Sequence, residues 1–209
     1  MKLNISLFGA SGKMGQAILH AVSKNPLFQI VALENCAVAI DFSHKDATLS
    51  QMNAAAKLSK PIVIGTTGLS PETFESIKKT AEIIPILYAS NFSLGMSLCL
   101  DAVKRFGTAL FGNCSVDIVE THHIHKKDSP SGTALSLAQT IPSREKISIR
   151  SIRNAEEIGE HIVTFECAGE RIEIKHQALS RDAFAQGALK SAQFLLGKPP
   201  GLYAFQDVL

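Results

Sequence analysis

Residues 3–15 read Leu-Asn-Ile-Ser-Leu-Phe-Gly-Ala-Ser-Gly-Lys-Met-Gly, so an apolar run leads directly into three regularly spaced glycines. A helical pattern follows and stops at Asn25-Pro26, and a second apolar run covers residues 29–33. A strand, a glycine turn, a helix and a second strand in this order are typical of a dinucleotide-binding unit, in which the turn approaches the pyrophosphate. We therefore predict that the cofactor contacts the residues of this turn, which are Gly9, Ala10, Ser11, Gly12, Lys13, Met14 and Gly15.

An acidic residue downstream of the turn supports the same prediction. Glu34 follows Gly15 by 19 residues and stands at the predicted end of the second strand, where a carboxylate accepts hydrogen bonds from the adenine ribose. Its neighbour is Asn35 and not an arginine that could pair with a 2′-phosphate, which favours NADH over NADPH as the cofactor. The glycine spacing departs from GxGxxG, so the alternative here is an ordinary glycine turn and a surface glutamate.

Short apolar strands continue to alternate with helices as far as residue 88. The pattern predicts strands at 37–42, 61–64 and 85–88, and helices at 45–58 and 71–83. Such alternation is typical of a parallel, doubly wound sheet whose ligands lie at the carboxyl ends of the strands. We therefore expect two further loops at such ends to touch the cofactor, through Gly65, Thr66 and Thr67 in one loop and Ser90, Asn91 and Phe92 in the other.

The pattern changes from Leu94 onward. It predicts helices at 95–111, 134–141 and 181–196, and strands at 115–119, 146–153, 160–168 and 171–176. The Gly169-Glu170 turn predicts that the last two strands form an antiparallel hairpin. We therefore predict an α/β protein with two domains. A Rossmann-like, parallel-sheet dinucleotide domain covers 1–93 and is completed by 181–209, and a smaller α+β domain with a mostly antiparallel sheet, for substrate binding and oligomerisation, covers 94–180.

Residues 120–134 read Glu-Thr-His-His-Ile-His-Lys-Lys-Asp-Ser-Pro-Ser-Gly-Thr-Ala and carry the densest chemistry of the chain. Three histidines and two lysines are expected to crowd into a loop after the strand at 115–119. Ser131 is the expected N-cap of the next helix, which would leave the N–H groups of Gly132, Thr133 and Ala134 unpaired and attractive to an anion. This combination predicts a pocket for a small molecule with several negative charges, and with a proton donor or acceptor in reach.

Two other interpretations of this stretch stay open. His122, His123 and His125 could be metal ligands, but the run has no cysteine and no carboxylate placed to complete a site, so we predict no metal. A solvated basic loop without a function is the other alternative.

Composition narrows the class of protein. The 209 residues are 45% hydrophobic and 19% charged with a net charge of +2, which suggests neither nucleic acid nor an anionic membrane as a partner. The first apolar run is too short for a secretion signal, and no apolar run is long enough to span a membrane. The four cysteines, Cys36, Cys99, Cys114 and Cys167, are dispersed and form no CxxC pair. We therefore expect a cytoplasmic protein with reduced cysteines in its core.

At residues 120–134 the chain matches every fixed position of the pattern Glu-x-His-His-x-x-Lys-x-Asp-x-Pro-Ser-Gly-Thr-Ala, and it resembles the 4-hydroxy-tetrahydrodipicolinate reductase family, also called dihydrodipicolinate reductase. The resemblance implies NAD(P)H-dependent reduction of a cyclic imine dicarboxylate in the synthesis of diaminopimelate and lysine. Other family-like stretches run from end to end; they are 9–15, 41–43, 65–68, 90–93, 151–153, 159–161, 201–203 and 207–209.

The resemblance also implies roles for single residues. His122 matches the proposed general acid, and Lys126 matches the second essential cation of the family. The carboxylate-binding positions fall on His123, Gly132 and Thr133. The nicotinamide is expected near Gly65 to Thr67 and Ser90 to Phe92, and a homotetramer is expected to form through the sheet of the second domain.

The chain departs from the family in two places. Only Asn35 and Cys36 separate Glu34 from Ala37, where family members have a much longer excursion, and the segment between Ile141 and Lys146 is short as well. The protein is then either a compact natural variant or a sequence that omits flexible loops. Both alternatives make Glu34 and Asn35 less secure as ribose contacts. Two other functional classes therefore remain: a non-catalytic relative that has lost hydride transfer, and a metal-dependent hydrolase built on the three histidines.

Overall fold

The computed structural model describes residues 2–124, 126, 128–142, 147–154 and 157–209. The chain divides into two compact units, of which the first comprises Met1–Phe92 with Arg181–Leu209 and the second Ser93–Ser180. His125, Lys127 and the predicted strand start at Lys146 lie outside the described residues. No helix in the described ranges combines the length and the apolar character that crossing a membrane requires.

The first unit contains a six-stranded sheet in which every pair of neighbours is parallel. Its strands are β1 (Leu3–Phe8), β2 (Phe28–Ile30), β3 (Val38–Asp41), β4 (Ile62–Ile64), β5 (Pro85–Tyr88) and β10 (Gly201–Tyr203). The spatial order is β10-β5-β4-β3-β1-β2, so the order reverses next to β1. The helices of this unit are α1 (Lys13–Ser23), α2 (Lys45–Lys57), α3 (Pro71–Ala81) and α6 (Asp182–Leu195).

The central strands of this sheet are apolar because helices cover both of its faces. β4 reads Ile-Val-Ile, and all three residues are fully buried, as expected of a strand inside a parallel sheet. Ser70 caps α3 by accepting a hydrogen bond from the Thr73 N–H at 3.2 Å. The predicted parallel sheet is confirmed, and its last strand, β10, comes from the tail for which the sequence predicted no strand.

The connection after β2 differs from the prediction. β2 ends at Ile30, and Glu34 lies in a 3-10 turn (Leu33–Asn35) and not at the end of a strand. The Asn4 side chain donates to the carbonyl oxygen of Asn35 at 3.3 Å, and the Ala37 N–H donates to Asn4 O at 2.8 Å. The short segment is therefore held beside the first half of β1 and returns at once to start β3.

The second unit contains a four-stranded sheet in the order β7-β6-β8-β9, with one parallel pair, β6 and β7, and two antiparallel pairs. This confirms the mostly antiparallel sheet and the hairpin at Gly169. Its strands are β6 (Cys114–His122), β7 (Ile147–Arg153), β8 (Glu160–Cys167) and β9 (Glu170–Gln177), and its helices are α4 (Leu94–Ala109) and α5 (Gly132–Thr140).

The two faces of this sheet differ. Val116, Ile118, Val163 and Phe165 on the inner face pack with residues of α4 and α5 in one hydrophobic core. The opposite face carries partly or fully exposed side chains on all four strands, including Asp117, Val119, Ser148, Arg150, Ile152, Thr164, Glu166, Arg171 and Glu173.

The cysteine prediction is wrong for two residues. Cys114 and Cys167 form a disulfide, because β6 and β8 place them directly opposite each other with their Cα atoms 4.2 Å apart. The 53 residues that separate them in sequence hide this proximity. Cys36 and Cys99 are free thiols, and burial raises the pKa of each.

Candidate active site

The buried carboxylate of Glu120 is the centre of a polar cluster in the second unit. The sequence placed Glu120 and His122 in a loop, but β6 continues through both, and strand alternation puts them on the inner face. Glu120 Oε1 accepts from Nη1 and Nη2 of Arg153, each at 3.0 Å, and from the Ser131 N–H at 3.3 Å. Burial alone would raise the pKa of Glu120, but hydrogen bonds from Ser151, Arg153 and His122 outweigh it and hold the pKa below its usual value. Glu120 is therefore ionised near neutral pH.

The same carboxylate orients His122. Glu120 Oε2 forms a short hydrogen bond with His122 Nδ1, and an ionised carboxylate can only accept, so Nδ1 carries the proton. The other ring nitrogen, Nε2, faces Gly159, where an added Cβ atom would lie 3.1 Å away. Burial lowers the pKa of His122, the Glu120 carboxylate opposes this, and the nearby charges of Lys126 and Arg153 lower it further. The net result is a pKa below the ordinary histidine value.

A second buried histidine lies against the first. The rings of His122 and His161 meet edge to face with centroids 5.1 Å apart, and His161 is only 4% exposed. His161 Nε2 is 3.1 Å from Ser131 Oγ, which also accepts from the Ala134 N–H. Burial, followed by the charge on His122, lowers the pKa of His161 to about 3, so His161 stays neutral.

At the start of α5 the carboxylate of Asp128 interacts with a lysine and with the backbone of the helix. Ser131 is the N-cap, as predicted, but its Oγ accepts from the Ala134 N–H, so the prediction that this N–H is unpaired is wrong. The Asp128 carboxylate lies 2.9 Å from Lys126 Nζ. Burial would raise the pKa of Asp128, but Lys126, followed by the N–H groups of Asp128 and Gly132, lowers it. A lysine and a helix N-terminus therefore hold one carboxylate together here.

The remaining predicted substrate contacts flank this point. Thr133 is half-buried in the first turn of α5. His123 follows β6, and its carbonyl oxygen accepts from the Lys126 N–H at 3.1 Å. The third histidine of the run, His125, lies outside the described residues.

The structure changes which residues could form a metal site. The sequence indicated no carboxylate that could complete a site with His122, and this is wrong: Glu120, His122 and His161 each offer a ligand atom within 4.8 Å of the others. However, both Glu120 oxygens already accept hydrogen bonds, one of them from a guanidinium. A cation here would have to displace the His122 hydrogen bond and lie beside Arg153, so the arrangement favours a hydrogen-bonded cluster over a metal centre.

The glycine turn of the first unit is closed by a hydrogen bond from the Gly12 N–H to Gly9 O at 3.0 Å, and α1 begins at Lys13. A Cβ atom at Gly15 would lie 2.1 Å from Gly9 O, so glycine allows the helix to pack on the turn. At Gly12 an added Cβ atom would meet Gly9 O only at 3.4 Å, an ordinary contact, so internal packing does not demand a glycine there. Gly9 O is the one described atom within 4 Å of that position apart from the residues next to Gly12. Ala10, Ser11 and Met14 belong to the same turn and the first turn of α1.

The segment Asp41-Phe42-Ser43 joins the predicted cofactor loops, and sequence reasoning gave it no role. Asp41 is fully buried; its Oδ1 accepts from the Ser43 N–H at 2.9 Å and its Oδ2 from Thr66 Oγ1 at 3.3 Å. The Phe42 ring lies where a side chain at Gly65 would be, and its backbone lies against Gly9.

The Phe42 ring also contacts the third of these loops. Its centroid is 5.2 Å from that of Phe92, which is buried and in turn meets the ring of Phe205 edge to face. Ser90 is exposed and Asn91 half-buried in this loop, while Thr67 is exposed in the loop after β4. All three loops after β1, β4 and β5 are therefore fixed by the segment after β3.

We expect Asp41→Ala to weaken NADH binding about 10- to 100-fold, because it removes two charge-assisted hydrogen bonds and leaves Ser43 and Thr66 without their acceptor. Asp41→Asn keeps an acceptor and should lie between the wild type and Asp41→Ala. Titration of NADH fluorescence measures this directly. Ser191→Ala is the control, because it removes another buried side-chain hydrogen bond of the same unit. If Ser191→Ala weakens NADH binding as much as Asp41→Ala does, Asp41 only stabilises the fold of the unit and has no specific role at the cofactor site.

Some of these residues were accessible from the sequence, while for Arg153 and His161 the sequence left open whether they face the substrate or serve contacts within the sheet. Glu120 and His122 are two residues apart, and extending the strand pattern by three residues would have placed them on one face. Arg153 and His161 come from β7 and β8, and only the register, with His122 beside Arg153 and Glu120 beside His161, brings them to the cluster.

Comparisons with known proteins point to one family along nearly the whole chain. Two family models match, described as the N-terminus of dihydrodipicolinate reductase at residues 31–92 and its C-terminus at residues 95–209. A 4-hydroxy-tetrahydrodipicolinate reductase of Akkermansia muciniphila is 37% identical over 99% of this chain and 98% of its own length, and one of Xylella fastidiosa is 38% identical over the same shares. The solved structure of a dipicolinate-bound dihydrodipicolinate reductase from Paenisporosarcina covers both chains fully with a TM-score of 0.80 at 23% identity.

Proposed function

Since this chain belongs to the dihydrodipicolinate reductase family, we propose that its first unit binds the nicotinamide cofactor and that the cluster around His122 binds and protonates the substrate. The chain is an NAD(P)H-dependent oxidoreductase that reduces 4-hydroxy-tetrahydrodipicolinate in lysine biosynthesis. The single observation that carries the assignment of the site is the orientation of His122. A buried carboxylate holds its Nδ1, and Nε2 faces a glycine.

The residues of the first unit fit a dinucleotide. The room at Gly12, the start of α1 and the backbone of residues 9–15 are suited to a pyrophosphate. The Ser43 hydroxyl supports the same assignment, because it is buried beside Gly9 and has no hydrogen-bond partner among the described residues. Gly65, Thr66 and Thr67, with Ser90, Asn91 and Phe92, would hold the nicotinamide end. NAD(P)H, when bound, supplies the hydride.

Cofactor preference depends on the short connection after β2. Asn35 in place of an arginine favours NADH, while the exposed Glu34 remains the candidate for the ribose hydroxyls. The turn that carries both is anchored beside the first half of β1, and the alignment with the Akkermansia protein extends over 241 positions against 209 residues here. The relative therefore has residues that this chain lacks, and a shortened adenosine side would contribute less binding.

In the second unit, Lys126 and the start of α5, with Gly132, Thr133 and His123, would bind the substrate carboxylates. The protein's own Asp128 supports this, since its carboxylate already pairs with Lys126 and interacts with Gly132. His122 would hold a proton at Nε2 and give it to the ring carbon that becomes electron-rich after hydride addition. Glu120, fixed by Arg153, would keep the imidazole in place.

The deciding experiment follows the absorbance of NADH and, in parallel, NADPH, with the substrate generated in place by the synthase that precedes this step. We expect substrate-dependent oxidation, faster with NADH. Faster oxidation of NADPH would overturn the preference assigned to Asn35. Folded protein without turnover on either cofactor would favour the non-catalytic alternative, with the shortened connection after β2 as the cause.

The outer face of the second unit's sheet supports self-association. Ile152 is 41% exposed there, and Val119 on β6 lies beside Arg150 on β7. Arg150 and Arg171 share this face with Asp117 and Glu166. An open sheet face with apolar and oppositely charged side chains is suited to a second copy of itself. We propose a homotetramer built through this face. The cytoplasm is the compartment expected for the enzyme.

Sedimentation velocity is expected to give a species about four times the 22.5 kDa of one chain. Ile152→Arg should reduce this mass, because it buries a charge in the proposed interface. The matched control is Leu49→Arg, since Leu49 is 39% exposed on α2 of the first unit. A monomeric wild type, or a tetramer that tolerates Ile152→Arg, would contradict the proposed interface.

A further inference from the structure

The hydrogen bond to Glu120 decides which form of His122 can act as an acid. Because Nδ1–H donates to an ionised carboxylate, a neutral His122 has a lone pair and no proton at Nε2. Only the imidazolium form, protonated on both nitrogens, can give a proton from the atom that faces Gly159. The reaction therefore requires a cation at this position.

The charges around His122 in the protein alone do not favour that cation. Glu120, on the same strand as His122, is negative. Arg153 on β7 neutralises this carboxylate with two hydrogen bonds. Lys126 adds a positive charge, which Asp128 partly balances. From β8 comes His161, which is neutral. Farther along the sheet, Glu160 is paired with Lys175, and His176 lies beside Ser93.

We propose that the dicarboxylate substrate brings the charge that protonates His122, so that substrate binding is coupled to the uptake of one proton at Nε2. This inference rests on the proposed substrate site. Two carboxylates close to Lys126 and the start of α5 would reverse the local excess of positive charge. An opposite charge within about 4–6 Å shifts a pKa by about 1–3 pH units. Here the substrate carboxylates would raise the pKa of His122 and so favour its protonated form.

The proton goes to His122 and not to His161. His161 is more deeply buried, and its Nε2 already pairs with Ser131 Oγ. A positive His122 would also repel a second charge on the ring 5.1 Å away. Of the two histidines, only His122 has an ionised carboxylate on one nitrogen, and its other nitrogen faces Gly159.

The proton balance closes over one turnover. After hydride addition, the electron pair of the resulting enamine forms a C–H bond with the Nε2 proton. The N–H bond breaks and leaves its electron pair on Nε2. His122 returns to the neutral form with its proton on Nδ1, so the anionic product leaves without the attraction of an added positive charge. Because of this coupling, His122 is protonated at Nε2, and can act as an acid, only when substrate is bound.

Isothermal titration calorimetry with dipicolinate as the probe tests this, in buffers of different ionisation enthalpy at the same near-neutral pH. The dependence of the observed heat on that enthalpy gives the number of protons taken up. We expect close to one proton for the wild type and close to none for His122→Gln. His20→Gln is the control and should retain the uptake, because His20 is an exposed residue of α1 in the first unit.

The pH dependence has a definite sign. When the pKa of a group rises on binding, the association constant of the ligand depends on pH between the pKa of the free protein and the pKa of the complex. Within that range the association constant falls as the pH rises, by up to about tenfold per pH unit. Dipicolinate should therefore bind the wild type more weakly as the pH rises through neutrality. His122→Gln should flatten this dependence.

Three outcomes separate this inference from the proposed function. Turnover together with dipicolinate binding but no proton uptake, or equal uptake in His122→Gln, would overturn the coupling and leave the function standing. Absence of both turnover and binding would remove both. If His122→Gln does not fold, nitrogen NMR of wild-type His122 decides, since Nε2 should change from unprotonated to protonated when dipicolinate is added. An unchanged Nε2 signal would reject the coupling.

Discussion

His122→Gln is expected to lower kcat by about 10²- to 10⁴-fold, the usual contribution of a general acid. Glutamine can still hydrogen-bond to Glu120, so the buried carboxylate keeps a donor in addition to Arg153 and Ser131. It cannot carry a proton to the substrate. The variant should therefore fold and keep its affinity for NADH, whose proposed residues belong to the first unit, while losing the chemical step.

Steady-state kinetics with saturating NADH measure the loss, and NADH titration measures the retained affinity. His20→Gln serves again as the control and should have the wild-type kcat. Wild-type turnover in His122→Gln would remove the acid role from this residue. A parallel loss of NADH binding would instead indicate a misfolded variant.

Lys126→Ala should lower kcat/KM by about 10- to 100-fold, the equivalent of one lost charge-assisted hydrogen bond to a substrate carboxylate. Both KM and kcat should change, because the ammonium group would bind the carboxylate in the ground state and also position the ring for protonation. The Lys126 side chain is only 24% exposed and pairs with the Asp128 carboxylate. Among the described residues it is the one lysine near the start of α5, so no other described lysine can replace it there.

Lys104→Ala is the matched control for Lys126→Ala. Lys104 is an exposed lysine on α4 of the same unit, and its removal should leave both constants unchanged. Lys126→Arg keeps the charge but changes its shape and reach, and should recover part of the lost affinity without restoring kcat. A full recovery of kcat by arginine would mean that charge alone matters here. Unchanged kinetics in Lys126→Ala would exclude a role in substrate binding.

The sequence by itself determined the alternation of strands and helices over residues 3–88, because each of its steps is local. Apolar runs of three to six residues alternate with amphipathic helices, and turn residues such as Gly9 and Ser70 mark where one element ends and the next begins. These signals depend on side-chain size and backbone freedom within a few positions. The resemblance carried by residues 120–134 likewise depends on adjacent residues, so family and reaction were accessible without coordinates.

The tertiary structure decided what depends on the register between strands that are distant in sequence. Cys114 meets Cys167, and Glu120 meets Arg153 and His161, only because β7 and β8 pair with β6 at one particular offset. A shift of one residue would turn Glu120 to the other face. The proposed acid form of His122 depends on that offset as well, because Arg153, which comes from the neighbouring strand, holds the Glu120 carboxylate that accepts from Nδ1.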